Sequence, residues 1–277
     1  ILGIRNRDQF LEIQPQGKYF VLDNIDLSGL TGNSIHYSSN ITFQGEINFL
    51  GNSLTRDRST STNVFQNIGI QGIIENMVFN ISLNNEIETS NFNGLCTYNY
   101  GTIRGIIVNL LEATQVPNIR YRLIGYANYG LLENFVINLQ DTLYGQSEIT
   151  GGFSVVNGTI RNGYVYGKDM KVKFSNVVSA PVALTVNQTG TVENVYSLVN
   201  VNSENPTSSD LISNIIGTVN YGTIRNVYSL GSGNTTLLTR GPNIASVSGY
   251  TKISNSYYFD DRTFNNSYNK KASYTSL

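Results

Sequence analysis

Imidazole and thiol chemistry has almost nothing to draw on in this chain, so paired carboxylates are the first chemistry to test. The 277 residues include a single His, His36, and a single Cys, Cys96. One imidazole cannot build a two-histidine zinc site such as His-Glu-x-x-His. One thiol supplies neither an intrachain disulfide nor a thiolate metal cluster. A glycosidase needs two carboxyl groups about 5 to 9.5 Å apart across a groove. The acids fall into few groups. Asp260-Asp261-Arg262 is the densest and reads as a surface turn near one end, while Asp23 and Asp26 suit turn or cap roles. No Asp-rich loop gathers the converging oxygens that calcium needs. Lys168, Lys171 and Lys173 around Asp169 read as a solvated basic loop. His36 falls in a loop over 30–40, and Cys96 beside Leu95 reads as packed. Only Glu75, Glu133 and Glu193 stand in a regular relation to one another, and each has an Arg as its counterpart about one repeat away. The expectation is a chain that is not an enzyme and carries no metal and no cofactor.

The regularity of those acids belongs to an internal repeat. Gly222-Thr-Ile-Arg-Asn226-Val-Tyr-Ser-Leu230 and Gly190-Thr-Val-Glu-Asn194-Val-Tyr-Ser-Leu198 are its clearest copies, with Gly158-Thr-Ile-Arg-Asn162 beside them. Further copies begin at Gly72, Gly101 and Gly130, and a degenerate one is Thr251-Lys-Ile-Ser-Asn255. Successive spacings from Gly72 are 29, 29, 28, 32, 32 and 29 residues, and weaker copies precede them at Gly17 and Gly45. About nine quasi-repeats result. Within each, apolar residues alternate with period two, as in Met77, Phe79, Ile81 and Leu83. That period, with β-branched and aromatic enrichment, means strand and not helix. A second apolar run precedes each repeat glycine, such as Phe153–Val156 and Ala183–Val186, and Asn-Tyr-Gly or Asn-Gly marks the corner between the runs. Two or three short strands per thirty residues fit a coil whose successive turns stack as parallel strands about 4.8 Å apart. Propeller blades need four antiparallel strands in about 40 residues, more than this repeat can hold. The expected fold is all-β: a right-handed parallel β-helix of about nine coils, right-handed by the general preference of parallel crossovers. Its boundaries are an N-terminal cap with a short helix over 1–16, the β-helix over 17–259, and a C-terminal cap or linker over 260–277. Loops are expected at 113–120, 140–148, 167–173 and 202–210.

Stacked coils turn equivalent positions into neighbours. The residue before the repeat Asn runs Glu75, Arg104, Glu133, Arg161, Glu193, Arg225 and Ser254. Alternating acid and base over six coils makes sense when they lie side by side, since opposite charges one strand apart attract by a few tenths of a kcal/mol. The Asn position itself runs Asn76, Asn134, Asn162, Asn194, Asn226 and Asn255, with Gly105 in the gap, and reads as a structural amide ladder at a turn. Two residues further on lie Val78, Ile107, Val136, Tyr164, Tyr196, Tyr228 and Tyr257. Alternation places this column outside, where an exposed strip of Tyr164, Tyr196, Tyr228 and Tyr257 would form a platform for sugars or a protein partner. The plainer expectation is that a flanking loop covers these rings, or a register slip turns them inward.

Composition excludes several functions. The formal charge is −1, which gives no electrostatic case for nucleic acid. No apolar run approaches the roughly 20 residues of a membrane-spanning helix. Asn reaches 37 residues, so the six Asn-x-Ser/Thr sequons at Asn40, Asn80, Asn157, Asn187, Asn234 and Asn265 carry no information on glycosylation or location. The chain begins Ile1-Leu2-Gly3 and is expected to be part of a larger protein. Asn6-Arg-Asp-Gln9, followed by Phe10, reads as a capped short helix.

Asp8-Gln-Phe-Leu-Glu-Ile13 followed by Gly17-Lys-Tyr-Phe-Val-Leu-Asp-Asn-Ile-Asp26-Leu-Ser28 resembles the opening of GLUG-type repeat modules. Phe43-Gln-Gly-Glu-Ile-Asn-Phe-Leu-Gly-Asn-Ser-Leu54 is similar to their next element, and the Gly-x-Ile-x-Asn repeats are similar to their body. The naming Gly-Leu-x-Gly element survives only as Gly94-Leu95, and Asn24 precedes Ile25 where the pattern has Asp. The resemblance implies a β-helix in a bacterial surface protein, including the non-catalytic region of large immunoglobulin-A-protease-type metalloendopeptidases. It implies an extracellular or cell-surface module for adhesion, for binding a glycan or a host or partner protein, or for display. A substrate-positioning module of a secreted protease and a polysaccharide-degrading enzyme are the alternatives. The favoured contact surface is the tyrosine strip with the loops 167–173 and 202–210.

Overall fold

The computed structural model describes residues 1–30, 42–57, 63–83, 91–113, 120–145, 148–172, 178–204, 211–231, 244–248, 252–258 and 270–271. Every strand pairing in them is parallel, and each strand's neighbours come from the coils before and after it. The chain is a parallel β-solenoid. Its long sheet carries Lys18–Val21, Glu46–Asn48, Ile73–Leu83, Thr102–Ala113, Leu131–Leu139, Thr159–Gly167, Thr191–Ser197, Thr223–Ser229 and Lys252–Tyr258, one strand for each repeat. A second sheet has seven strands, from Phe65–Ile68 to Ile244–Ser248, and a third has five, from Asn91–Asn93 to Leu211–Ile212. Nine coils is therefore an overcount. The repeats at Gly17 and Gly45 add rungs to the long sheet but no described strand to the other two, so complete turns number between the five and seven strands of those sheets.

The long strand changes character halfway along. Asn76, Gly105, Asn134, Asn162, Asn194, Asn226 and Asn255 all have φ between 50° and 61°, one per coil. This left-handed residue interrupts the alternation, so the buried apolar positions step from Ile74 to Met77 before period two resumes through Phe79 and Ile81. Asn and Gly are the residues that reach this region at low cost, which is why the repeat needs one of them there. In the two earliest coils the corner widens into a gap. Strand Glu46–Asn48 stops, Leu50 and Gly51 take positive φ, and Ser53–Asp57 resumes the pairing.

Inward columns fill the interior. Ile103, Leu132, Ile160, Val192 and Ile224 are register neighbours and fully buried. The adjacent column is Ile106, Phe135, Gly163, Val195 and Val227. Phe135 is larger than its column mates, and Gly163 makes the room: a Cβ there would lie 2.3 Å from the Phe135 ring. Each fully buried aliphatic or aromatic side chain contributes about 1.5–3 kcal/mol.

Two expectations about the periphery need correction. The segments 140–148, 167–173 and 202–210 are not simply loops. Leu143–Gly145, Met170–Val172 and Val201–Ser203 form a fourth, three-stranded parallel sheet whose Leu143, Met170, Val172 and Val201 are buried. At the N-terminal end, Leu2–Ile4 already pairs in parallel with Lys18–Val21, inside the stretch expected to be cap alone. The helix Arg7–Leu11 lies between these two strands. Asn6 caps it, its side chain accepting from Gln9 N at 3.0 Å, and Gln9 Oε1 accepts from Arg5 N. Phe10 plugs the coil from within, its ring 6.2 Å from Phe49 and 6.5 Å from Phe65. His36, Asp260–Arg262, most of 113–120, 205–210 and the C-terminal segment apart from Lys270–Lys271 lie outside the described residues.

Candidate functional site

Three parallel columns run along the outside of the long sheet, and the left-handed residue sits in the middle one. On one side are the charges. Arg104 is register neighbour to both Glu75 and Glu133, and Arg161 to both Glu133 and Glu193. The ion pairs nonetheless form in discrete twos. Arg104 grips Glu75 at 2.6 Å, Arg161 grips Glu133 at 2.7 Å, and Arg225 grips Glu193 at 2.5 Å. The two signs are not equally presented to solvent. The acid side chains are 10–15% exposed, whereas the arginines are 41–53% exposed. What faces water is a row of guanidinium groups lying over their acids.

In the middle column the amides bond from coil to coil. Asn194 Nδ2 donates to Asn162 Oδ1 at 3.0 Å, Asn226 to Asn194 at 2.8 Å and Asn255 to Asn226 at 2.9 Å. At the other end Asn76 donates to Asn48. Asn134 is exposed beside Gly105, which has no amide to offer.

The third column departs from the covered arrangement. Tyr164, Tyr196, Tyr228 and Tyr257 are register neighbours in that order. Tyr164 is half-buried and Tyr196 and Tyr228 are exposed, so no register slip turns these three rings inward. The Tyr257 side chain lies outside the described residues. The Tyr164 and Tyr196 rings are parallel within 3° at 4.9 Å between centroids. Two rings this close cannot lie edge to edge in one plane, so they overlap face to face and the surfaces between them are closed. What the pair offers outward is phenolic edge and hydroxyl. Partial burial, and secondarily Tyr164, pushes the Tyr196 hydroxyl above its usual range. Leu198 and Leu230 extend the strip two residues further along the same rungs, also exposed.

Elsewhere among the described residues, Lys171, Asp169 and Cys96, singled out from sequence, are paired or packed. Lys171 sits in the fourth sheet with its ammonium 5.7 Å from the Tyr144 ring, and Asp169 accepts from Asn200 and Asn202. Among the described residues no three His, Cys, Asp or Glu side chains converge as a metal site would require. Cys96 is fully buried, and burial pushes its thiol far above the usual range.

Some groups were not picked out from sequence. Arg122 is almost fully buried, donates to Glu148 at 2.6 Å, to Asn93 at 3.1 Å and to Ser154 Oγ, and lies 5.0 Å from the Tyr126 ring. Burial lowers its pKa, and Glu148 opposes that shift. Arg56 is buried with its guanidinium 4.6 Å from the Phe92 ring and bonded to Gly94 O. Both are satisfied cations within the wall. Tyr100 and Tyr129 stack at 4.9 Å on the corner between the second and long sheets, over the buried pair Asn99 and Asn128. The repeated Asn-Tyr-Gly triplet carries that signal.

Fold and surface together define a repeat solenoid with a regular polar and aromatic outer face. No family profile and no curated protein matches the chain. No helix of the described residues is long and apolar enough to cross a membrane.

Proposed function

We propose that this chain is a non-catalytic, extracellular or cell-surface module that binds a glycan along the outside of its long sheet. The observation that carries the reading is the tyrosine column, with Tyr164 half-buried and Tyr196 and Tyr228 exposed, held in register beside the amide ladder. Tyrosine presents a large contact area with a polar tip and only two rotatable bonds to immobilise. Because the facing surfaces of Tyr164 and Tyr196 are spent on each other, a sugar meets phenolic edges and hydroxyls and does not stack on the faces between them. The Asn194 and Asn162 amides lie in the next column, within the same rungs, and add donors and acceptors. The GLUG-type resemblance supports the surface location.

A glycan array probed with the parent chain and with Tyr196→Ala/Tyr228→Ala tests this. Binding that falls at least tenfold in the double variant, with an unchanged circular-dichroism spectrum, is the expected result. Binding that is absent or indifferent to the substitutions removes the strip as the contact surface.

A further inference from the structure

We infer that the ligand of this face is a linear acidic polysaccharide carrying one carboxylate per disaccharide, read by the row Arg104, Arg161 and Arg225. The inference rests on the binding reading above and adds the ligand's charge and its period.

Two features of the row lead there. The first is the way each guanidinium is held. Arg104 and Arg161 use Nε and Nη2, side-on, to grip Oε2 of the acid one coil earlier, and Arg225 uses Nε in the same manner. A side-on grip occupies one edge of the fork and leaves the Nη1 corner pointing away from the acid. Arg104 and Arg161 share this pose and Arg225 shares its Nε contact, each anchored on the acid one coil earlier and 41–53% exposed. The second feature is spacing. The arginines occupy alternate coils, so they recur every two strand separations, about 9.6 Å along the axis. A ligand that engages all three must itself carry anions at that interval.

An extended chain of alternating neutral and acidic pyranoses does so, since it places one carboxylate per two sugar units. Nucleic acid fits poorly, with one phosphate per ~3.4 Å of each strand. The neighbouring columns suit the neutral parts of such a polymer: exposed amides at Asn134, Asn162 and Asn194, then the phenolic edges of Tyr164 and Tyr196 in the same rungs as Arg161 and Glu193. Each arginine is already partly neutralised by its acid, so a single contact is weak. Affinity arises from engaging several at once along a polymer.

The test measures binding of the whole chain to hyaluronan, to uncharged dextran and to polygalacturonate, which bears a carboxylate on every sugar. Hyaluronan is expected to bind at least tenfold more tightly than dextran and more tightly than polygalacturonate. That preference should fall at least tenfold between 50 and 300 mM salt, because exposed charges are screened. Arg104→Gln/Arg161→Gln/Arg225→Gln should abolish it. Since that triple change strands three acids and could weaken the fold, Glu133→Gln supplies the opposite sign: removing the acid beneath Arg161 should tighten hyaluronan binding about threefold or more. A merely structural ion pair would give no gain. Equal binding to dextran, or Glu133→Gln binding that is unchanged or weaker, overturns the inference. If hyaluronan fails while tyrosine-dependent binding to other glycans persists, the inference falls alone. If no glycan depends on Tyr196 and Tyr228, the binding reading falls with it.

Discussion

Replacing Asn194 separates the two roles of the middle column, because its backbone and its amide contribute independently. The residue sits at φ 54°, donates to Asn162 at 3.0 Å and accepts from Asn226 at 2.8 Å. Asn194→Gly keeps the left-handed region accessible and deletes both amide bonds. These are exposed, so each contributes about 0.5–1 kcal/mol, and the expected loss is about 1–2 kcal/mol. Asn194→Ala deletes the same bonds and also leaves in the left-handed region a residue without the short polar side chain that eases it for Asn, at about 1–2 kcal/mol more. Its expected loss is about 2–4 kcal/mol. The two variants should differ by about 1–2 kcal/mol, near 2–8 °C in Tm for a chain of this size. Guanidinium titration followed by far-ultraviolet circular dichroism and by tyrosine emission provides the assay, since the chain has 18 Tyr and no Trp. Repeat arrays lose cooperativity, so the comparison uses the first loss of signal and not a single fitted midpoint. A glycine variant as unstable as the alanine variant would refute the claim that backbone conformation selects this residue.

Two other perturbations test the interior. Gly163→Ala drives a methyl into the Phe135 ring and should cost about 1–3 kcal/mol. Adding Phe135→Leu should recover part of that loss, and a strictly additive double variant would show that the two sites do not share space. Cys96 should resist Ellman's reagent at pH 8 in the folded chain and react once denatured. Its folded-state pKa is raised by burial, so the thiol's contribution to stability is full below its ordinary range and is lost as pH climbs above it. A fall in stability above pH ~9 should therefore be shallower in Cys96→Ala than in the parent, and identical slopes would contradict the assignment.

Which residues share a column could be worked out from repeat arithmetic alone, because each coil spends one left-handed residue and resets its register there. Stepping from one repeat motif to the next lands on a neighbour, 28 residues back from Arg161 to Glu133 or 32 on to Glu193, because the motif marks the register whatever the length between. What lies between the corners is less legible. Leu143, Met170, Val172 and Val201 belong to strands of three residues, too short for period two to separate from chance, so the fourth sheet was hidden in apparent loops. Whether Tyr196 is exposed depends on what a loop from another coil covers, which periodicity does not encode. Arg122 was missed for a related reason. Asn93, Glu148 and Ser154 reach it from three other strands and recur in no other coil.

The discreteness of the ion pairs has a mechanical consequence. If each arginine shared its charge evenly with both flanking acids, every layer would be tied to the next with equal strength. Instead Glu75 with Arg104, Glu133 with Arg161, and Glu193 with Arg225 lock layers together in twos. The seams between couples are not alike. The Asn194–Asn162 bond and the Tyr164–Tyr196 stack cross the one between Thr159–Gly167 and Thr191–Ser197. At the one between Thr102–Ala113 and Leu131–Leu139, Gly105 brings no side chain to the amide column, so under load this is the weaker joint of the face.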